Sequence, residues 1–566
     1  MRWFLKVLLA VVLVGFLVLL LDVLPGLNEQ SVNSNKLADN INITSQPVNQ
    51  VNQVSQVSQV SRPNVIVILA DDMRVGLTGY EGHPIINTPN IDKLAKGGTV
   101  FNKGFATSPV CTPSRTSLLT GLYERRHGIN FNSKSSMTDD AWSKTYPMLL
   151  KEAGYFVGYV GKNHTPIGQD EAGNSGYFSG VMDQSFDYWY GSHKHLSFYP
   201  KDHKRHALFK NAQADTQIEI LEEGMANFMA PNEAFQAGYQ FLDSRPKGQP
   251  FALLVNFNVP HAAGTGSMQM RDSDLDLYKS AYRDKTDQIS LPTTYLAQKD
   301  IVNPKIPQNV YNGEYLKSYN YVKTSESLTE RKIREIQTIS GIDKLVGKLV
   351  RHHENQGVAD NTIIVFTSDH GLMHGEFGLG GKALLYEPSV RIPLVIYDPR
   401  MKQRKADKSN ELVALVDIAP TLLDLTNTAI PKHMQGYSLK PLMFKREKVP
   451  NKAQGDKPNW RQEIFLENMM TIQNYPRIEA VRTHKWKYIR YFDKKKDQLY
   501  ADMSASIQGE QPIYEELFDL ENDPHEMNNV IAEPIHLEVV KRLRMKNAQL
   551  VKAYRGDEPL DTHIKK

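Results

Sequence analysis

The sequence predicts an α/β fold, with a parallel or mixed sheet covered on both faces by helices. Three observations predict it. Apolar runs of strand character recur at Val65 to Leu69, Phe156 to Val160, Phe251 to Val259 and Ile363 to Phe366; strands buried on both faces read as near-continuous apolar runs of this kind. Helical stretches lie between them. One runs from about Thr145 to Ala153 and stops at Gly154. Another carries Ile333, Ile336, Ile339, Ile342, Leu345, Val346, Leu349 and Val350 on one stripe, with Thr329 as its expected N-cap and a stop near Gly357. Finally, each apolar run hands over to Asp, His or Lys at its C-terminal end: Asp71-Asp72, then Lys162 and His164, then His261, then Asp369 and His370. Ligands of open α/β sheets bind beyond the carboxyl ends of the strands, so these groups are expected to converge.

At 566 residues, 40% hydrophobic and 23% charged, the chain has ordinary globular composition and room for a main domain and a smaller one. Its 67 basic and 63 acidic residues are too balanced for a nucleic-acid partner. Lys6 precedes an unbroken apolar run from Val7 to Leu21, the grammar of an export signal. Residues 1–26 are therefore expected to be a cleaved signal peptide or an anchor held in the membrane through residues 3–24, and the protein to be periplasmic or secreted. Residues 27–61 read as a polar low-complexity tether.

Cys111 is the only cysteine and cannot form an intrachain disulfide. In Cys111-Thr-Pro-Ser-Arg115-Thr-Ser-Leu-Leu-Thr-Gly121, Pro113 suits the first turn of a helix and Gly121 its end. Cys111 thus falls at a helix N-terminus, which favours an anion, and Arg115 lies one turn further on.

At this motif the chain resembles the sulfatases of the alkaline phosphatase superfamily, whose signature is Cys-x-Pro-Ser-Arg followed by Thr-Gly. The likeness extends in order through Arg62-Pro-Asn-Val-Ile-Val-Ile-Leu-Ala-Asp71-Asp72, Gly161-Lys162-Asn163-His164, Asp369-His370-Gly371, Gly381-Lys382, Leu415-Val-Asp417 and Glu516-Leu-Phe-Asp519. Asn163 stands where the family usually has tryptophan, which implies a reshaped pocket wall. The resemblance implies an alkaline phosphatase-like fold with a large, mostly parallel mixed sheet sandwiched by helices. It also implies a catalytic domain over 62–445 and a C-terminal subdomain over 446–566, a small antiparallel sheet with a helix.

The same resemblance implies that a maturing enzyme converts Cys111 to 3-oxoalanine, the formylglycine whose hydrate attacks sulfur. A calcium ion would be held by Asp71, Asp72, residue 111, Asp369 and His370, although imidazole is an unusual ligand for so hard a cation. Arg115 would hold the hydrate, and Lys162 and Lys382 would draw off charge on the sulfate oxygens. His261 or Lys382 would protonate the leaving oxygen, and His164 would serve as the base that lets sulfate go. The expected substrate is a sulfated carbohydrate, in polysaccharide or oligosaccharide breakdown. Its rim would include Phe186-Asp187-Tyr188-Trp189-Tyr190, the basic stretch from Gly191 to His206 with His193 and His195 as a further anion subsite, and the insert from about Ala262 to Leu328. Two other readings share these residues: a phosphodiesterase or phosphonate monoester hydrolase of the same superfamily, and a noncatalytic glycan-binding homologue.

Overall fold

Strand β1, Asn64–Asp71, is central to the architecture, and every residue in it is buried. Its side chains divide by parity. Val65, Val67 and Leu69 enter one apolar core, whereas Ile66, Ile68 and Ala70 enter another. Such division requires cover on both faces of the sheet. The computed structural model describes residues 62–566 apart from 131–134, 170–175, 193–235, 262–278, 312–318, 402–406, 445–459, 470–474, 493–510, 556–561 and 565–566. The expected export signal and tether, His193, His195 and most of the basic stretch lie outside the described residues.

The main sheet also contains β2 (Thr99–Phe101), β3 (Phe156–Gly161), β4 (Tyr188–Gly191), β5 (Phe251–Pro260), β6 (Thr362–Ser368), β7 (Leu394–Tyr397) and β8 (Asp407–Ser409). Their order is β8-β2-β7-β6-β1-β5-β3-β4. The run from β6 through β1, β5 and β3 to β4 is parallel throughout, and β7 pairs antiparallel to both β6 and β2. This is the mixed, mostly parallel sheet that the sequence implies.

Helices α1 (Pro89–Gly97) and α5 (Ser325–Asn355) cover one face, the latter burying Ile336, Ile339, Ile342, Leu345, Val346 and Leu349. The other face is covered by α2 (Cys111–Thr120), α3 (Tyr146–Glu152) and α6 (Ile418–Leu425). Helix α4, Gln236–Ser244, adds Phe241 and Leu242 to the first face. The N-cap of α5 is Thr324 rather than Thr329: its side chain accepts from the Ser327 amide at 3.2 Å. The apolar stripe underestimates this helix because its first turn is polar and only Leu328 begins the buried face.

A second sheet of four antiparallel strands, β9 (Glu463–Asn468), β10 (Arg477–Thr483), β11 (Trp486–Phe492) and β12 (Tyr514–Asp519), packs with α7, Leu537–Arg555. Its residues Ile464, Phe465, Leu466, Ile478 and Ile489 share a core with Phe105, Val110 and Leu384 of the catalytic segments. The aromatic triplet Tyr188-Trp189-Tyr190, expected along a substrate pocket, instead forms edge strand β4 with all three side chains buried. Alternation sends Trp189 to one core and Tyr188 and Tyr190 to the other.

Candidate active site

Helix α2 presents Cys111 as its first residue, after Val110 in extended conformation. All ten side chains of this helix are buried, so it is held from every side and not by one amphipathic stripe. Gly121 ends it at φ 67°, a left-handed conformation that costs glycine little, and donates its amide to Ser117 O.

The strand ends deliver the other groups as expected. Asp71 closes β1, and Asp72 follows at φ 63°, an uncommon angle for a residue with a side chain. That turn is fixed by the Asp72 amide, which donates to Asp369 Oδ1 at 3.1 Å. Asp369 is joined to β1 in turn, its amide donating to Ala70 O at 3.1 Å. Two strands thus define the positions of three carboxylates.

Cations surround them. Lys162 Nζ lies 2.5 Å from Asp71 Oδ2. Lys382 Nζ lies 2.7 Å from Asp72 Oδ1 and 2.9 Å from Cys111 Sγ. His261 Nδ1 is 2.7 Å from Asp72 Oδ2 and 3.3 Å from Lys382 Nζ. His370 Nε2 is 3.4 Å from Cys111 Sγ and 3.3 Å from Asp72 Oδ1. Arg115 returns one turn along α2 to pair with Asp369 Oδ2 at 3.0 Å and stands 3.5 Å from Asp71 Oδ1.

Burial pushes the Asp71 and Asp72 carboxyls up, but the cations around each outweigh it, led by Lys162 for Asp71 and Lys382 for Asp72, and hold both well below the usual range. Burial likewise opposes ionisation of the Cys111 thiol, yet Lys162 and Lys382 bring it well below its ordinary value. Asp369 goes the other way: burial lifts it to about 6 against the pull of His370. For His370, burial works downward and the Asp369 charge overcomes it, raising the imidazole to about 9.

These distances bring Asp71, Asp72, Cys111, Arg115, Lys162, His261, Asp369, His370 and Lys382 into one cluster. Two overlapping donor sets could hold a metal: Asp71, Asp72, Cys111 and His261, and Asp71, Cys111, Asp369 and His370. Asp71 Oδ1 is buried and accepts no hydrogen bond. Three carboxylates across the two sets, one of them with such an oxygen, fit a hard divalent cation. His164, 2% exposed, lies a step further out: its ring stacks on Tyr177 at 5.7 Å, and the Tyr177 hydroxyl is 3.3 Å from Thr112 Oγ1. Asn163, whose place in the motif implies a reshaped pocket wall, is buried. It is 4% exposed, and its side chain accepts from the Thr165 amide at 3.1 Å.

Several functional positions escape the sequence. Asn256 on β5 takes Arg115 Nη1 at 3.4 Å on its side chain and the Lys162 amide at 2.8 Å on its carbonyl. Its only signal was an amide, one of two with Asn258, in a strand whose other residues are apolar. Buried Arg331 on α5 donates to Pro260 O at 3.0 Å and His261 O at 3.4 Å and pairs with Glu335 at 2.7 Å. Glu335 meets His374 at 3.1 Å. The i, i+4 spacing of Arg331 and Glu335 was the available signal, and it also describes any surface pair.

The geometry agrees with the comparisons. A family model described as Sulfatase matches residues 63–428. The chain belongs to the sulfatase family. It is accordingly a sulfuric ester hydrolase, and a second model, N-sulphoglucosamine sulphohydrolase, C-terminal, matches residues 375–553. An N-acetylglucosamine-6-O-sulfatase of Bacteroides thetaiotaomicron is 26% identical over 547 residues, covering 88% of each chain. Among solved structures, one in complex with its substrate D-glucosamine-2-N,6-O-disulfate superposes with a TM-score of 0.56 at 21% identity, covering 88% of this chain and 99% of that one. A phosphonate monoester hydrolase of Agrobacterium radiobacter superposes with a TM-score of 0.60, also at 21% identity, covering 88% and 97%. At such identities the superpositions speak for the fold. The family models speak for the sulfatase.

Proposed function

We propose that this sulfatase removes sulfate esters from a sulfated carbohydrate, with a formylglycine made from Cys111 by a maturing enzyme and with a calcium ion. The observation that carries the reading is the placement of Cys111 at a helix N-terminus, beside three strand-end carboxylates and within 2.9 Å of Lys382. The carbohydrate is supported by the relative that acts on N-acetylglucosamine 6-sulfate esters and by the solved complex with a sulfated glucosamine.

Formylglycine at position 111 would supply a geminal hydroxyl as nucleophile, and Asp71, Asp72, Asp369 and His370 would hold a calcium ion whose positive charge favours ionisation of such a hydroxyl. Lys162 and Lys382 neutralise the nonbridging oxygens of the sulfate, in a site too buried for water to do so. Arg115, fixed by Asp369 and Asn256, holds residue 111 in line with the sulfur. His261 is the acid for the leaving oxygen. Its side chain is 20% exposed whereas those of Asp71 and Lys162 are fully buried, so it stands on the side from which an alcohol departs. His164 is the base for release of sulfate.

Export is part of the proposal, resting on the signal grammar of residues 1–26, because a polysaccharide reaches an enzyme only outside the cytoplasm. The function is tested by measuring sulfate release from sulfated mono- and oligosaccharides, an aryl sulfate and a phosphonate monoester. Turnover of glucosamine sulfates with the highest kcat/KM supports the proposal. Turnover of the aryl sulfate alone, or faster cleavage of the phosphonate, overturns it.

A further inference from the structure

The main sheet brings His261 to the site but does not pair it. The last pairing between β1 and β5 joins Asp71 to Pro260, and His261 comes one residue later. Lys382, 3.3 Å from His261, follows Gly381 in a loop. A buried layer of side chains from the segment that leads into α5 holds both. The Arg331 guanidinium forks onto two consecutive carbonyls, Nη2 donating to Pro260 O at 3.0 Å and Nη1 to His261 O at 3.4 Å. Its Nε donates to Glu335 Oε1 at 2.7 Å, and His374 Nε2 is 3.1 Å from the same oxygen, so the fork is braced from behind. Gly381 pairs antiparallel with Met373, and the Tyr321 hydroxyl bridges the two, accepting from the Gly381 amide at 2.9 Å and donating to Met373 O at 2.9 Å. Arg331 lies over the Tyr321 ring, 5.5 Å from its centroid, and both side chains are wholly buried.

We infer that Arg331 and Tyr321 are positioning residues for departure of the alcohol: Arg331 fixes the backbone that carries His261, and Tyr321 fixes the backbone that carries Lys382. This inference rests on the reading of His261 as the acid for the leaving oxygen. Both residues act through those two side chains and touch no reacting atom. A general acid contributes its rate only when its proton is within hydrogen-bond reach of the leaving oxygen. Misplacement by about 1 Å is enough to lose about 10²-fold. The residue types suit the task. Guanidinium offers donors in a rigid fork that can span two adjacent carbonyls, whereas an ammonium is a single point of charge. A phenol both accepts and donates, so one hydroxyl can serve an amide and a carbonyl together.

The test is a double-mutant cycle in matured full-length protein, read by sulfate release from the best sulfated sugar. Arg331→Lys keeps a cation for Glu335 but cannot span both carbonyls. It is expected to lower kcat by about 10- to 100-fold while KM changes by less than about threefold. In a His261→Ala background the same substitution should cost less than about threefold in kcat/KM, because no acid is left to position. Tyr321→Phe keeps the ring under Arg331 and should behave in the same way against Lys382→Ala; it decides the matter if Arg331→Lys does not fold. A loss by the same factor in both backgrounds is the mark of a merely structural role and overturns the inference, as does wild-type kcat in either single variant. Wild-type kcat/KM in His261→Ala overturns the acid reading and the inference with it. A slow His261→Ala that Arg331→Lys slows further by the full factor overturns the inference alone, so the two failures are told apart.

Discussion

Replacing Arg125 by Met tests how far the second sheet holds the catalytic segments. Arg125 follows α2 by five residues and is wholly buried, with Nε 2.7 Å from Glu467 on β9 and Nη2 2.9 Å from Glu479 on β10. Its guanidinium also lies over the Phe465 ring, 4.5 Å from the centroid. The variant leaves the two carboxylates unequally placed. Glu479 keeps Arg490 at 2.5 Å, while Glu467 retains no ion pair among the described residues. Breaking a buried pair from one side costs about 3 to 5 kcal/mol, and Met fills much of the volume, so the loss is expected near the middle of that range. Burial already raises Glu467 even with Arg125 beside it, so in the variant it folds most readily with a proton. Its folded pKa is then further above the unfolded one. The folded state binds more protons across that window, and stability falls as pH rises.

Urea unfolding at pH 5 and pH 8 is the assay, with free energies from linear extrapolation. The deficit of Arg125→Met should be smaller at pH 5, and Arg125→Met/Glu467→Gln should recover part of it at pH 8. Activity should fall with it, because the Glu467 amide donates to Thr107 O at 2.8 Å, four residues before Cys111. A deficit below about 1 kcal/mol, equal at both pH values, would refute the reasoning.

Three further outcomes follow from the same structure. Lys162→Ala and Lys382→Ala should each lower kcat/KM by about 10² to 10³, measured with the best sulfated sugar, since each removes a cation from the developing negative charge. Glu516 is buried, takes the Tyr386 and Tyr491 hydroxyls, and is pushed up by burial to about 7. With the folded value above the unfolded one near 4.5, the stability it contributes is complete below pH 4.5 and is lost as pH rises through 7, on the order of 3 kcal/mol, so thermal unfolding of Glu516→Gln should show a flatter pH profile over that window. Thr324→Ala should cost about 1 kcal/mol in urea unfolding by removing the N-cap of α5, whereas Thr329→Ala should cost less.

Much of the site was legible because its groups sit at strand ends. A buried strand announces itself by an unbroken apolar run, and the residue that breaks the run is placed by the sheet; Asp71, Lys162, His261 and Asp369 were found in this way. Lys382 was different. It lies in a loop that no periodicity describes, where Ala383 at φ 74° donates its amide to Pro109 O, and only the resemblance at Gly381-Lys382 pointed to it. Arg331 and Asn256 were missed because their roles depend on what the fold brings opposite them. Tyr188, Trp189 and Tyr190 were misjudged for a related reason: aromatic residues serve equally in a sugar platform and in a core, and a strand of the main sheet took them into the core. The second sheet was foreseen as a subdomain, but its hold on Thr107 and on Leu385 O, through Glu467 and Lys487, depends on long-range contacts.

The most direct test of the central claim is the mass of the tryptic peptide Gly104–Arg115 from protein purified out of its native host, read together with sulfate release by the same preparation. The account predicts a peptide about 18 Da lighter than the thiol, partly hydrated, and activity that scales with its fraction. An unmodified Cys111 in a preparation that still releases sulfate would contradict it.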